Sequence, residues 1–173
     1  MTPDRETLDG EVFGALSASL EPLSAPVELR ARLLASVAGP AKYHPFCAEL
    51  AAHFDLPAAR IKELLSQIDE PGRWTTGIEP IQGFLHFSPG ARHEGLHGGF
   101  VRMRRGTLFP LHRHRQRELT YVLEGALVDD QGRRQGPGGA FDLEAGSTHS
   151  LAVTTDADCL IALLHGGIDM LAT

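Results

Sequence analysis

The spacing of apolar residues predicts helices over roughly the first 70 positions. In ETLDGEVFGALSASL, four apolar residues recur at every fourth position and so lie on one helix face: Leu8, Val12, Leu16 and Leu20. A second helix is predicted in PVELRARLLASVAG, because Pro26 suits a helix start and Gly39 a helix end. PFCAELAAHF and PAARIKELLSQI predict a third and a fourth helix.

From Thr75 onward the pattern changes to that of short strands. FVRMRR alternates apolar and basic residues, and ELTYVLEGALVDDQGRRQGPGGAFDLEAG has the pattern strand, turn, strand, turn, strand. CLIALLHGG is a nearly continuous apolar run of strand length. Several short strands with Gly-rich turns indicate a barrel or a sandwich. We therefore expect a mainly β protein, with a helical region at residues 1–73 and a β-barrel at residues 74–173.

Composition excludes several classes of function. The net charge of −6 argues against a general nucleic-acid binder. No apolar run approaches the ~20 residues that span a bilayer, and the N-terminus lacks the pattern of a signal peptide. We therefore expect a cytoplasmic protein that does not enter a membrane. Cys47 and Cys159 are expected to be reduced thiols in that compartment.

Charge is unevenly distributed along the chain. Residues 1–70 carry 11 acidic and 6 basic groups, a net charge of −5, whereas residues 92–117 carry seven arginines against Glu94 alone, a net charge of +6. The basic segment can be a solvated strand face, or it can complement the acidic helices within one chain or across a dimer. The turn at Asp55–Pro57 between two predicted helices resembles a helix-turn-helix in outline, but the second helix carries too few basic residues for us to expect DNA binding.

Three histidines and a glutamate form the candidate metal site. His112 and His114 are two residues apart, so on a strand both imidazoles point to the same face. We expect Glu118 to follow on the same extended strand and face, and His149 to close the site from a later hairpin. Three imidazoles and a carboxylate suit zinc, iron, nickel or manganese. We expect one divalent metal, with zinc as the first choice.

The glycines around these residues match the signature motifs of the cupin family. The first motif is complete, with Gly106, five residues, His112, one residue, His114, three residues, Glu118, six residues and Gly125. The second motif matches at Gly138, Gly146 and His149, whereas Glu144 replaces its proline and Val153 its asparagine. The resemblance covers about half the chain. It implies a jelly-roll barrel, the fold also called a double-stranded β-helix, and it implies a homodimer.

The longer pattern resembles the ChrR-like anti-sigma-factor cupins. The shared features are the Phe-Pro-x-His-x-His run, the VLEG strand, the Asp-x-x-Gly turn and the Gly-Ser-x-His loop from Gly146 to His149. APVELRARLLASVAG also resembles the helical linker of that family. This resemblance implies a transcription regulator in which the cupin senses oxidative stress or a small molecule and the helical part handles a sigma factor.

The N-terminal part departs from that family. Its members carry a His-x-x-x-Cys-x-x-Cys zinc motif on a helix, whereas this chain has only His44, Cys47 and His53, which do not converge on one helix face. We interpret the segment as an ordinary helix with a buried thiol. The chain is then either a regulator without the zinc element or a stand-alone cupin with a helical dimerisation region.

Two functions remain open from the sequence. The first is a metal-binding regulatory module, for which the candidate partners are a sigma factor or other protein and a small-molecule ligand in the barrel. The alternative is a metal-dependent cupin enzyme, a dioxygenase or small-molecule isomerase, for which no catalytic residue beyond the ligands is evident. Arg113, Arg115 and Arg117 alternate with the ligands and should point outward, which weakens the case for an acidic substrate.

Other residues have less defined roles. His86, His93 and His97 lie in a predicted Gly-rich loop before the barrel and have no assigned role. His165 is expected near the barrel mouth, and Cys159 is interpreted as core packing rather than a redox-active thiol. Tyr121 should face away from the site, and Trp74 should anchor the helices on the barrel.

Overall fold

In this computed structural model, the described part of the chain comprises residue 19 and residues 26–36, 39–77 and 79–171. The helix predicted at residues 6–20 lies outside these residues, apart from Ser19. Residues 1–36 and 37–173 form two compact units. In the first unit, the helix predicted after Pro26 is present as α1, Val27–Ser36, and exposes Leu33 and Leu34. No described helix is long and apolar enough to cross a membrane.

The second unit begins with helices. A 3-10 segment, Gly39–Phe46, leads into α2, Cys47–Phe54, and α3, Ala58–Ser66, which match the third and fourth predicted helices. Asp55 ends α2 in the left-handed conformation, with φ 55°. Short 3-10 turns, Gln67–Asp69 and Pro71–Arg73, lead to the first strand. The division into domains at residues 73 and 74 stays a prediction, since these helices lie in the same compact unit as the strands.

Strands β1 to β11 follow, with a 3-10 turn, Ala91–His93, between β2 and β3. In chain order, the strands are Thr75–Thr76, Ile81–Phe87, His97–Met103, Leu108–His114, Glu118–Glu124, Leu127–Asp129, Arg134–Gln135, Ala140–Leu143, Thr148–Val153, Cys159–His165 and Ile168–Met170. They form one sheet in the order β1-β2-β3-β10-β5-β8 and a second in the order β11-β4-β9-β6-β7. Because the chain alternates between the two antiparallel sheets, these form a jelly-roll barrel.

The six-stranded sheet is covered on both faces. Its outer face packs against the helices, where Leu119, Tyr121 and Leu164 join Leu50 and Phe54 in one apolar cluster. Its inner face packs against the five-stranded sheet in a second cluster, which includes Val101, Val122, Leu151, Cys159 and Ile161. Coverage of both faces is the physical reason for the continuous apolar run in β10, since neither set of alternating side chains reaches water.

Polar contacts join the helices to the barrel. Asp55 pairs with Arg92 of the loop between β2 and β3, with 2.7 Å between Oδ1 and Nε. The Trp74 indole N–H donates to the Ile68 carbonyl, and the Arg102 guanidinium lies 4.6 Å above the indole ring. Trp74 therefore lies at the helix-to-barrel junction, as predicted, and one arginine of the basic segment pairs with the acidic helical region.

We expect the helices and the barrel to unfold together. Phe54 is fully buried against Phe87 of β2, with ring centroids 5.0 Å apart. Phe54→Ala should lower the free energy of unfolding by about 3–5 kcal/mol and lower Tm by on the order of 10 °C. Differential scanning calorimetry should show one transition for residues 37–173. Glu63→Ala, at an exposed position of α3, is the control and should change little; a barrel transition unmoved by Phe54→Ala would contradict this coupling.

Candidate metal centre

Pairing between β4 and β9 brings the three histidines together. His112 pairs directly with His149 across the two antiparallel strands, so their imidazoles share the inner face of the barrel. His114 lies two residues further along β4 on that same face. The Gly146 N–H donates to the His114 carbonyl, and the His114 N–H donates to the Ser147 carbonyl, which fixes the loop before His149 against β4.

Glu118 reaches the site from the opposite sheet, and the prediction that it continues the strand of His112 and His114 was wrong. β4 ends at His114, residues 115–117 turn, and Glu118 begins β5 in the six-stranded sheet. Ion pairs flank this turn: Arg115 with Asp169 at 2.6 Å, and Arg117 with Asp142 at 2.6 Å. The carboxylate therefore approaches the imidazoles across the barrel.

The four side chains are buried and closely spaced. Their ligand atoms all lie within 4.8 Å of one another. His114 Nε2 is 3.1 Å from His112 Nε2 and 3.5 Å from Glu118 Oε1, and His149 Nε2 is 3.8 Å from the same oxygen. Two donor atoms bound at about 2.1 Å to one ion would be about 3.0–3.4 Å apart, depending on the angle between them. The observed separations are close to this range.

Hydrogen bonds set the tautomers of two imidazoles. His112 Nδ1–H donates to the Pro110 carbonyl at 2.9 Å. The Ser147 hydroxyl donates to the Glu144 carbonyl and so accepts from His114 Nδ1–H at 3.1 Å. Each Nε2 atom then carries a lone pair, and the two lone pairs face each other. This contact is repulsive unless a cation lies beside them. This arrangement, with the second ring nitrogen bound to the protein, is typical of histidine metal ligands.

The surroundings of His149 are the strongest indication that a metal fits the site. Its side chain is fully buried, and neither ring nitrogen has a hydrogen-bond partner among the described residues. An unpaired buried polar group costs about 1–3 kcal/mol. A divalent cation among the four donors would bind His149 Nε2 and separate the facing Nε2 atoms. The residues present therefore fit a metal ion of the kind that takes nitrogen and oxygen ligands.

The protonation states also suit a cation. Burial lowers the pKa of His112 and of His114 below the usual histidine value, so both rings are neutral at pH 7. Burial alone raises the pKa of Glu118, but the imidazoles of His149, His114 and His112 more than offset this and hold it below its ordinary value. These shifts favour neutral rings at His112 and His114 and an ionised carboxylate at Glu118, the forms that bind metal.

An apolar cavity of about 180 Å³ opens beside the site. His112 and Glu118 reach its wall, whereas His114 and His149 do not. Most of the wall is apolar, and Phe84 contributes a ring that leans across β3. A Cβ at Gly99 would lie 2.0 Å from that ring, so only glycine leaves room for it.

His165 lies on the cavity wall, in agreement with its predicted place near the barrel mouth. The Gly167 N–H points to its Nδ1 at 3.3 Å, which places the ring proton on Nε2. Burial lowers the pKa of His165, so this imidazole is also neutral at pH 7. Arg113 and Arg115 are exposed and Arg117 is paired with Asp142, so none of the three lines the cavity, consistent with their predicted outward direction.

The remaining predicted residues lie elsewhere. His86 and His97 are on strands β2 and β3, rather than in a loop as predicted, and His93 is in the 3-10 turn. His86 stacks on Phe84 with centroids 4.0 Å apart, and His97 packs near His165. Among the described residues, these three do not join a cluster of metal-ligand type.

Both cysteines and Tyr121 are in apolar surroundings. Cys47 lies in the cluster beneath the helices. Cys159 lies inside the barrel, where burial raises the pKa of its thiol to about 12, as expected for core packing. Tyr121 faces the helices, where its hydroxyl donates to Glu49 at 2.6 Å, so it lies outside the site as predicted.

Several contributing groups were not identified from the sequence. Ser147 orients His114, and Thr120 donates to Glu118 Oε1 at 3.2 Å. The Gly-Ser-x-His pattern contained Ser147, and its hydroxyl two residues before a ligand was the available signal. The cavity walls come from seven strands and one loop, so no local pattern marked them.

Comparisons with known proteins agree with this fold. Residues 85–169 match the family described as the ChrR Cupin-like domain. A chain in the crystal structure of Rhodobacter sphaeroides SigE in complex with the anti-sigma ChrR is similar, with a TM-score of 0.53 and 21% identity, over 90% of this chain and 75% of that chain. An acetylacetone dioxygenase from Acinetobacter johnsonii has a TM-score of 0.50 and 9% identity, over 60% of this chain and 74% of its own. No curated protein sequence matches the chain significantly.

These similarities confirm two predictions. The mainly β cupin fold preceded by helices is confirmed by the structural similarities. The resemblance to ChrR-like cupins is confirmed by the family match. The structural likenesses, at these identities, concern the fold alone.

Removing two donors should abolish metal binding. We expect His112→Ala with His114→Ala to lose the bound divalent metal and to lower Tm, because a metal that binds only the folded chain stabilises it. Elemental analysis and thermal denaturation measure the two effects. His44→Ala with His93→Ala, which removes two histidines outside the cluster, is the matched control. Unchanged metal content in the first variant would refute the ligand assignment.

Removing the hydroxyl of Ser147 should weaken metal binding without abolishing it. Ser147→Ala leaves His114 Nδ1 without its partner, and loss of such a supporting hydrogen bond costs about 10–100-fold in affinity. Competition with a chelator for zinc measures this change. Ser147→Thr, which keeps a hydroxyl, and Ser150→Ala, which lies one residue beyond His149, should bind zinc as the unmodified chain does. Equal affinity in Ser147→Ala would exclude this role.

Proposed function

We propose that this chain, whose residues 85–169 are a ChrR Cupin-like domain, is a regulatory protein that binds one divalent metal on His112, His114, Glu118 and His149. The observation that carries the proposal is the buried His149, whose ring nitrogens have no partner among the described residues. Zinc is the first choice, with iron, nickel or manganese as alternatives. A bound zinc ion would supply positive charge that neutralises Glu118 and links the two sheets.

A sigma factor is the partner that we propose. The family is described by its relation to ChrR, and the Rhodobacter sphaeroides ChrR is an anti-sigma factor in complex with SigE. In this chain, α1 lies in a compact unit of its own and exposes Leu33 and Leu34, which suit an apolar contact with a partner protein.

In this proposal the barrel is the sensing element. Oxidative stress or a small molecule that enters the cavity would alter the cluster at His112 and Glu118, the two ligands that reach the cavity wall. The helices on the outer face of the six-stranded sheet share a core with β5 and β10, so a change in the barrel can reach them. We further propose that the chain works in the cytoplasm as a homodimer.

A second candidate is a metal-dependent enzyme, and the cavity favours it. Metal-dependent dioxygenases or isomerases need room for a substrate beside the metal, and about 180 Å³ is present. Against this, the described residues on the cavity wall include no acid or base besides the ligands and His165. Fold does not decide, since cupins include both kinds of protein.

Binding to a purified sigma factor separates the two candidates. The zinc-loaded chain should bind a sigma factor encoded in the same genome, and the His112→Ala, His114→Ala variant should bind it with changed affinity. Isothermal titration calorimetry measures both, and the His44→Ala, His93→Ala variant is the control. If no sigma factor of that genome binds, while the iron-loaded chain consumes oxygen with a small-molecule substrate, the regulatory proposal is wrong and the enzyme is favoured.

A further inference from the structure

We propose that the cavity beside the metal centre binds a monocarboxylate with a short apolar tail. The inference rests on the proposed metal centre, because it assigns the carboxylate to the wall formed by His112 and Glu118. It adds the chemical class and the size of the ligand, and both follow from the composition of the cavity.

The charge of the site selects the head group. The four donors of the cluster include one carboxylate, so a divalent cation bound there would leave one uncompensated positive charge in a buried place. Burial of an unpaired charge is costly, so a ligand with a single negative charge is favoured. A carboxylate oxygen is also a suitable donor for each of the candidate metals.

The cavity walls favour a ligand that is apolar outside its carboxylate group. Beyond the ligands, the polar side chains on the described cavity wall are Thr120, which donates to Glu118, and the neutral His165. The apolar part of the wall includes Phe84, Val101, Phe109, Leu151, Ile161 and Leu163. No lysine or arginine of the described residues lines the cavity, so a second carboxylate would be buried without a cation.

The volume of the cavity limits the length of the ligand. A dry cavity of about 150 Å³ in another protein holds benzene, which has six carbon atoms. A cavity of about 180 Å³ therefore suits a ligand of about seven non-hydrogen atoms. Pentanoate has this size, and glutarate has the same carbon chain with a second carboxylate. The two acids are thus a matched pair of probes.

The test is an NMR titration of the zinc-loaded full chain, after elemental analysis has measured its zinc content. Each methylene buried in the cavity should tighten binding about fourfold, so pentanoate should bind about 60-fold more tightly than acetate. Glutarate should bind at least about tenfold more weakly than pentanoate, because its second charge has no partner. Glutarate binding as tightly as pentanoate, or acetate binding equally well, would overturn the inference.

Variants at the wall make the test specific. Leu163 is not one of the four ligands, and Leu163→Phe places a larger side chain in the cavity. This variant should remove most of the difference in affinity between acetate and pentanoate while zinc content is kept. Leu108→Phe is the same change at a position 62% exposed outside the cavity and should leave that difference intact. Should Leu163→Phe not fold, Leu163→Ala enlarges the cavity and should move the best-bound acid to a longer chain. An unchanged preference would contradict the assignment.

The two proposals fail in distinguishable ways. A chain that binds no divalent metal refutes the metal centre and, with it, this inference. A chain with one zinc ion that binds acetate and pentanoate equally refutes only the inference on the ligand. Loss of sigma-factor binding would count against the regulatory role, but it would leave the comparison of acetate, pentanoate and glutarate unaffected.

Discussion

Three imidazoles and a carboxylate buried within one small volume are the constraint on which the rest of the molecule depends. These groups lose their hydration, and the facing nitrogens of His112 and His114 have no proton between them. A divalent cation would resolve these costs together and would draw on donors from both sheets. It would then hold β4, β5 and β9 in a common geometry.

Strand β10 connects the helices to the interior of the barrel. β10 lies in the middle of the six-stranded sheet, between β3 and β5, and sends alternate side chains to the metal side and to the helical side. Interiors are close-packed, so a shift on one face of such a strand is felt on the other. This shared strand is the physical link that a sensing role would use.

The four residues that the structure brings together could be identified from the sequence because the motif that carries most of them is local. The alternation His-x-His and the glycine frame around it depend on strand and turn geometry within about 20 residues, and His149 follows from the second motif. The position of Glu118 was predicted on the wrong strand, since a spacing of four residues is compatible with a strand and with a turn between two sheets. The turn is held by the pairs Arg115–Asp169 and Arg117–Asp142, whose partners are distant in sequence.

The cavity and the pairing of β2 with β3 could not be predicted from the sequence, because they depend on contacts between residues that are distant along the chain. The cavity wall joins residues from Ile81 to Ile168, and the place of Phe84 depends on the absence of a side chain at Gly99. His86 and His97 were placed in a loop because glycines around them concealed strand pairing across β2 and β3.

X-ray absorption spectroscopy of the metal-loaded chain tests the central claim most directly. The account predicts one metal per chain, surrounded by nitrogen and oxygen donors at about 2.0–2.2 Å with the scattering pattern of three imidazoles. A sulfur donor in that shell, or no bound metal, would contradict it.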